Sequence, residues 1–332
     1  MSKPSDNSQL IRNFSEILGS EQILTDPADR IVYECDGLVL NKRMPDVVVL
    51  PRTTEEIAAI VKICNQHDVP YLARGAGTGL SGGAVAYNGG VILQLSRMNQ
   101  ILEIDYDDEI AVVQPGVVNI QLSDLTTEAG YHFAPDPSSQ KACTIGGNVA
   151  QDTRCWYYRD GWTCYRAGGN ICYASPPTAM NREHCILGGS RCVAVNPSDT
   201  APVFVALDAK MVIRRGTSER IVDAEDFFIG PDIDIERMTV LGPGEILTAI
   251  RIPSDWAGAQ FYFEKVADRN TWDFALVNIA SAMFVEGGMI SRIRVAAGAV
   301  QCVPRRLTVV EEVVVVVGVA KVQYRNDWRK KR

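Results

Sequence analysis

The sequence predicts an α+β fold, and three observations predict it. Short apolar segments of strand length alternate with capped amphipathic stretches through residue 130. A glycine-rich loop, Arg74 to Gly83, follows the second of those strands directly. After an irregular segment over 151–192 the regular pattern returns and ends in a second α+β region. With 332 residues the chain is long enough for a large core and two domains. We divide it into a helical lead (1–45), a main domain of two subdomains that carries the irregular loop (46–253), and a smaller α+β domain (254–332).

In chain order, Leu10, Ile11, Phe14, Ile17 and Leu18 form one apolar stripe, so 8–19 reads as a helix. Asp46 to Leu50 is an apolar run stopped by Pro51, hence a strand. Thr53 or Thr54 can cap the next helix, Glu55 and Glu56 favour its positive end, and it runs to about His67. Val69 to Leu72 and Val91 to Leu95 are further strands. Residues 100–113 alternate as a hairpin, Pro115-Gly116 turns the chain, and Asn119 to Gly130 is a helix. The 151–192 segment holds no sustained period, and a loop that long inside a compact domain is functional or disordered. Ala209 to Arg214, 244–253 and 258–267 are strands, and Trp272 to Phe284 is a helix or a strand. The run EEVVVVVGVAKVQ from Glu311 is β-prone, ahead of a basic tail expected to be mobile.

Composition narrows the function classes. A net charge of −7 argues against non-specific nucleic-acid binding, which needs a basic face. No apolar run approaches the roughly 18 residues of a membrane helix. The N-terminal MSKPSDNSQL lacks the apolar core of a secretory signal. The expectation is a cytoplasmic protein with no integral membrane segment. The three histidines, His67, His132 and His184, complete no Ser-His-Asp order and no H-E-x-x-H motif, so no catalytic residue is assigned.

The loop from Arg74 to Gly83 holds five glycines in ten residues. Glycine permits positive φ and close backbone approach. Consecutive N–H groups in such a turn form an anion nest suited to a pyrophosphate. The spacing is not that of a Rossmann turn, and the loop lacks the lysine of a P-loop. On composition alone a flexible hairpin turn fits too. The strings PDVVVLPRTTEEIAAIV, PYLARGAGTGLSGGA, AVVQPGVVN and APDPSSQKACTIGGN say more. Through them residues 46–150 closely resemble the FAD-binding half of the glycolate oxidase and D-lactate dehydrogenase flavoproteins, which have the PCMH-type, vanillyl-alcohol-oxidase fold. The resemblance implies FAD as cofactor. It implies Arg74, Gly75, Ala76, Gly77, Thr78, Gly79, Ser81 and Gly82 at the pyrophosphate. It implies Pro135, Ser138, Thr144, Gly146, Gly147 and Asn148 along the rest of the cofactor.

After Asn148 the resemblance changes. The strings DTRCWYYRDGWTCYRAGGNICYA, NREHCILGGSRCVAVNPSDTAPVFVALDAK, VLGPGEILTAIRIP and FEKVADRNTWDFALVNIA make residues 151–300 similar to another group. That group is the FAD subunit of molybdenum hydroxylases of the xanthine dehydrogenase and 4-hydroxybenzoyl-CoA reductase type. The chain reads as a fusion of two homologous halves joined at the GGN turn. The second resemblance implies that Asp199 contacts FAD and that Lys265 lies near the isoalloxazine ring, where a fixed positive charge stabilises the reduced anion. It also implies a C-terminal domain like that of the CO dehydrogenase flavoproteins. Its implied partners are a molybdopterin-binding large subunit and a [2Fe–2S] small subunit. Read locally, Asp199 serves equally well as a helix cap and Lys265 as an exposed strand residue.

Of the nine cysteines, five fall within 38 residues between Cys155 and Cys192. In a reducing cytosol such density reads as metal or cluster binding rather than disulfides. Cys155, Cys164, Cys172 and Cys192 are separated by 9, 8 and 20 positions, with none of the close C-x-x-C-type pairs usual for zinc. They match in position the cysteines of the inserted loop of the 4-hydroxybenzoyl-CoA reductase flavin subunit, which implies a [4Fe–4S] cluster. Cys185 is a spare candidate, and a zinc site and a metal-free loop stay open. The favoured function is an electron-transferring flavin subunit. The alternatives are an FAD-dependent D-2-hydroxyacid (glycolate or D-lactate) dehydrogenase subunit, and a chimeric chain that binds FAD weakly.

Overall fold

The computed structural model describes residues 7–108, 110–131, 133, 139–150, 155–176, 184–269 and 273–317. α1 (Ser8–Ser15) buries Leu10 and Phe14, and Leu18 is buried just beyond it. Ile17 is 37% exposed, and the helix stops short of the predicted residue 19. β1 (Ile23–Leu24) precedes α2 (Pro27–Arg30), where Asp26 Oδ1 accepts from the Ala28 N–H at 2.8 Å. β2 (Val47–Val49) is fully buried. In α3 (Thr54–Gln66) the capping threonine is Thr53, whose Oγ1 accepts from the Glu56 N–H at 3.1 Å. β3 (Tyr71–Arg74) and β2 both run parallel to β4 (Val91–Gln94), and β1 adds antiparallel to β2, giving the order β1-β2-β4-β3. Alternation decides the layers. Val47, Val49, Val91 and Leu93 meet α1 and α3 through Phe14, Ile60 and Cys64, while Val48 and Ile92 face Ala86 on the other side. That is why β2 and β4 read as continuous apolar runs rather than alternating ones.

β5 (Ile101–Asp105) and β6 (Ile110–Val113) form the expected hairpin. α4 (Asn119–Thr126) tightens into a 3₁₀ turn ending at Gly130, whose φ is +91°. α5 (Ile145–Val149) is short. Within the described part of 151–192 the regular pieces are α6 (Trp156–Arg159) and one 3₁₀ turn, Tyr165–Ala167, as the missing periodicity implied. α7 (Ala201–Ala206) leads into β7 (Lys210–Arg215), β8 (Ser218–Asp223), α8 (Ala224–Phe227) and β9 (Ile246–Arg251), with sheet order β8-β7-β9. β10 (Gln260–Val266), β11 (Val277–Glu286), β12 (Met289–Gly298) and β13 (Arg305–Arg306) form an antiparallel sheet in chain order. The helix-or-strand question over 272–284 is thus resolved as strand from Val277 on, and Trp272 lies outside the described residues. α7 joins the last two sheets, because Ala201, Val205 and Ala206 share a core with Met211 and Ile213 on one side and Ala280 and Ala296 on the other.

One expectation is overturned. The valine-rich run that reads as β-prone forms α9 (Thr308–Val317) over its described part. Valine's strand preference depends on a partner strand to pack with. Here the side chain of Glu311, 7% exposed, takes the Val295 N–H at 2.9 Å and holds Arg306 in a fork at 2.8–3.1 Å. The backbone donor on β12 is therefore satisfied by a helix side chain. The run beyond residue 317 and the basic tail lie outside the described residues. Among the described residues no helix is long and apolar enough to cross a membrane.

Candidate functional site

The glycine loop leaves the end of β3 with left-handed backbone at Gly77 (φ +71°) and Gly82 (φ +82°). A Cβ on Gly77 would strike the Arg74 guanidinium, and one on Gly82 would lie 2.7 Å from Tyr87 Oη. A Cβ on Gly79 or Gly83 would meet no protein atom within 4 Å. Gly77 and Gly82 therefore shape the loop, while Gly79 and Gly83 keep one face of it open to a ligand. Arg74 is 7% exposed, and its Nη1 donates to the carbonyls of Cys35 (2.9 Å) and Ala84 (2.8 Å). It braces the loop from behind, and burial pulls its pKa below the usual guanidinium value. Two residues that sequence reasoning missed complete the brace. Asp36 Oδ2 accepts from the Gly82 N–H at 2.8 Å, and the Gly37 N–H donates to the Gly79 carbonyl at 3.0 Å. The signal for them was the Asp-Gly turn pair, which marks a turn but not its partner. Ala76 is exposed and Thr78 half-buried.

The Thr144–Asn148 segment meets this loop. Thr144 caps α5, its Oγ1 accepting from the Gly147 N–H at 3.3 Å, and a Cβ on Gly75 would collide with that same oxygen. Gly146 packs on Pro115, where a Cβ would come within 2.7 Å of the proline ring. The Asn148 amide donates to Asn119 Oδ1 at 2.8 Å, and its carbonyl accepts from Ser198 Oγ at 3.1 Å. Gln94 Nε2 donates to the Gly75 carbonyl at 3.0 Å, and its buried Oε1 has no protein partner. Pro135, Ser138 and His132 lie outside the described residues.

Asp199 and Lys265, both selected from sequence, come together. Lys265 Nζ lies 2.7 Å from Asp199 Oδ2, with side-chain exposures of 22% and 10%. Asn278 Nδ2 donates to Asp199 Oδ1 at 2.9 Å, and Asn278 is the cross-strand partner of Lys265. Asp199 does not cap α7, since the Ala201 N–H points to Ser198 Oγ at 3.3 Å. Asn278 escaped sequence reasoning because only the β10–β11 register places it there.

The four selected cysteines, Cys155, Cys164, Cys172 and Cys192, line one cavity of about 20 Å³ together with Tyr157 and Tyr173. Arg166, 5% exposed, directs Nε to Cys192 Sγ at 3.0 Å and Nη1 to the Glu236 carbonyl at 3.2 Å. The Ala194 N–H also points to Cys192 Sγ, at 3.4 Å. Among the described residues no group of three or more His, Cys, Asp or Glu is close enough to share a single metal ion. Arg159 Nη1 donates to Ser81 Oγ at 3.2 Å, which ties the cysteine loop to the glycine loop. Cys185 does not line the cavity; it pairs with Cys302, Sγ to Sγ, at 3.5 Å. Their shared hydrogen bond, with burial, pushes the Cys185 thiol up, and the same bond holds Cys302 below the ordinary thiol range.

A glycine loop with an open face at Gly79 and Gly83, set against the Thr144-capped start of α5, leaves room for the backbone to approach a phosphate closely. Residues 45–164 match the family described as FAD binding domain, and the fold around them is mixed α+β. The chain is 43% identical over 147 residues to the glycolate oxidase subunit GlcD of Escherichia coli K12, covering 44% of this chain. It is 37% identical over 142 residues to the D-lactate dehydrogenase of Anaerostipes hadrus, covering 43% of this chain. In each case the match spans 30% of the relative's own length. Among solved structures, a chain of carbon monoxide dehydrogenase from Hydrogenophaga pseudoflava superposes with a TM-score of 0.54 at 20% identity, over 82% of this chain and 81% of that one. Quinoline 2-oxidoreductase from Pseudomonas putida 86 gives 0.51 at 19% identity, over 82% and 79%. These two share the fold across most of the chain.

Proposed function

We propose that the chain is an FAD-dependent oxidoreductase that works as the electron-transferring flavin subunit of a molybdenum-hydroxylase-type complex. The observation that carries this reading is the convergence of Cys155, Cys164, Cys172 and Cys192 on one cavity, on a loop tied to the glycine loop through Arg159 and Ser81. The open face at Gly79 and Gly83, with the N–H groups around it, would hold the FAD pyrophosphate. Lys265 would place its charge near the flavin ring. When bound, FAD supplies two-electron chemistry with one-electron release. The four cysteines fit a [4Fe–4S] cluster better than zinc. None of the close C-x₂₋₄-C pairs usual for zinc is present among them, and four thiolates are what a four-iron cluster takes. The Arg166 and Ala194 N–H groups on Cys192 are of the kind that tune cluster potentials. This reading takes 46–253 as the FAD domain and 254–332 as the C-terminal domain. It places the chain in the cytoplasm with a molybdopterin-binding large subunit and a [2Fe–2S] small subunit.

Anaerobic purification tests it through the visible spectrum and metal analysis. Flavin bands with a broad iron–sulfur shoulder and about four irons per chain are expected. Cys164→Ser should lose most of the iron and Cys185→Ser none. Iron-free protein after anaerobic reconstitution, or zinc in its place, overturns the cluster. The 43% identity to a glycolate oxidase subunit favours a second reading, direct oxidation of a 2-hydroxyacid. Bleaching of the flavin of the lone chain by D-lactate or glycolate would establish it.

A further inference from the structure

Cys185 and Cys302 stand outside the four-cysteine cavity, yet the fold brings them together across 117 positions of chain with sulfurs 3.5 Å apart. They are 5% and 2% exposed, among Cys172, Ala174, Val193 and Val195. Each sulfur also lies within reach of a carbonyl of the segment that carries Cys192. Cys185 Sγ points to the Val193 carbonyl at 3.1 Å, and Cys302 Sγ to the Cys192 carbonyl at 3.4 Å. Backbone bonds flank the pair: the Leu187 N–H to the Val300 carbonyl and the Asn196 N–H to the Gln301 carbonyl, both at 3.1 Å. The two segments are thus already held face to face. A disulfide, near 2.05 Å between sulfurs, needs them to close by about 1.5 Å, within reach of side-chain torsions.

We propose that Cys185 and Cys302 form a redox-active pair that a peroxide closes into a disulfide, latching the Cys192 segment onto the strand end after β12. In the first step one sulfur attacks the peroxide. The O–O bond breaks, a sulfenic acid forms and one water leaves. In the second step the other thiol displaces that oxygen as a second water, and the S–S bond forms. Both S–H bonds are lost, and the two electrons given up by the thiols reduce the peroxide. Ile186 and Leu187 beside the pair are 64% and 49% exposed, so the pair lies close beneath the surface, and breaking the Leu187–Val300 bond would let in an oxidant as small as hydrogen peroxide. Neither FAD nor a cluster is needed for the step.

The test uses the full chain, reduced and then treated with excess hydrogen peroxide, alkylated with iodoacetamide, digested with trypsin and mass-analysed. The expected product joins the peptide carrying Cys185 to the one carrying Cys302, with a mass two hydrogens below their sum. Dithiothreitol should reverse it, Cys302→Ser should lack it, and the melting temperature of the oxidised chain should rise. Recovery of both cysteines alkylated, or of either one joined to Cys192, overturns the proposal. The wild-type chain alone gives that readout, so the outcome is decisive even if a variant fails to fold.

Discussion

Asp199→Asn probes the Asp199–Lys265–Asn278 cluster without changing its size. Asp199 holds the Lys265 ammonium at 2.7 Å and the Asn278 amide at 2.9 Å. An asparagine keeps one acceptor for Asn278 and leaves Lys265 without a counter-charge. A hydrogen bond to a charged group contributes about 1.5–3 kcal/mol when buried. Lys265 keeps 22% of its side chain exposed and can relax toward water, so the lower part of that range applies, about 1.5–2 kcal/mol. With a urea dependence near 3 kcal/mol per molar, the upper end for single domains, the unfolding midpoint should fall by about 0.5–0.7 M. Urea titrations followed by tryptophan fluorescence read this directly, since Trp256 is 1% exposed and packs against the same sheet. Lys265→Met and the double variant complete a cycle, with an expected coupling of about 1 kcal/mol or more. Strictly additive midpoints would show that the two charges do not interact and refute the geometry as the reason for their pairing.

Three further outcomes follow from the same structure. Gly82→Ala, at φ +82° and against Tyr87, should destabilise the chain by about 1–2 kcal/mol, whereas Gly79→Ala should leave the melting temperature of the flavin-free chain unchanged and still lower the flavin-to-protein absorbance ratio of the loaded one. If Gly79→Ala retains full flavin, the open face is not the binding face. Cys64 is fully buried, and desolvation pushes its thiol up to about 12. The unfolded chain ionises this thiol first, so the stability it contributes is present below the ordinary thiol value and is lost as pH rises toward about 12. Urea midpoints of wild type and Cys64→Ala across that alkaline range should converge. Glu311→Ala should free the Val295 amide and loosen α9, seen as faster hydrogen exchange at Val295; unchanged protection there would mean the helix is held by other contacts.

Local chemistry was legible in the sequence. Thr53, one of the two threonines the sequence offered, caps α3 with its own hydroxyl. The glycine spacing marked a loop with left-handed backbone at Gly77 and Gly82, and the loss of period over 151–192 marked the cysteine loop. These depend on a few consecutive residues and on φ restrictions that each residue carries with it. Tertiary structure decided the rest, because it depends on register and on distant partners. Asn278 joins Asp199 only through the pairing of β10 with β11. Asp36 reaches Gly82 across 46 positions, and Cys302 reaches Cys185 across 117. The valine run at 313–317 carries a strand preference of its own, yet it lies in the helix from which Glu311 accepts the Val295 N–H of β12. A propensity is a weak local free energy, and one buried, satisfied hydrogen bond with its packing outweighs it.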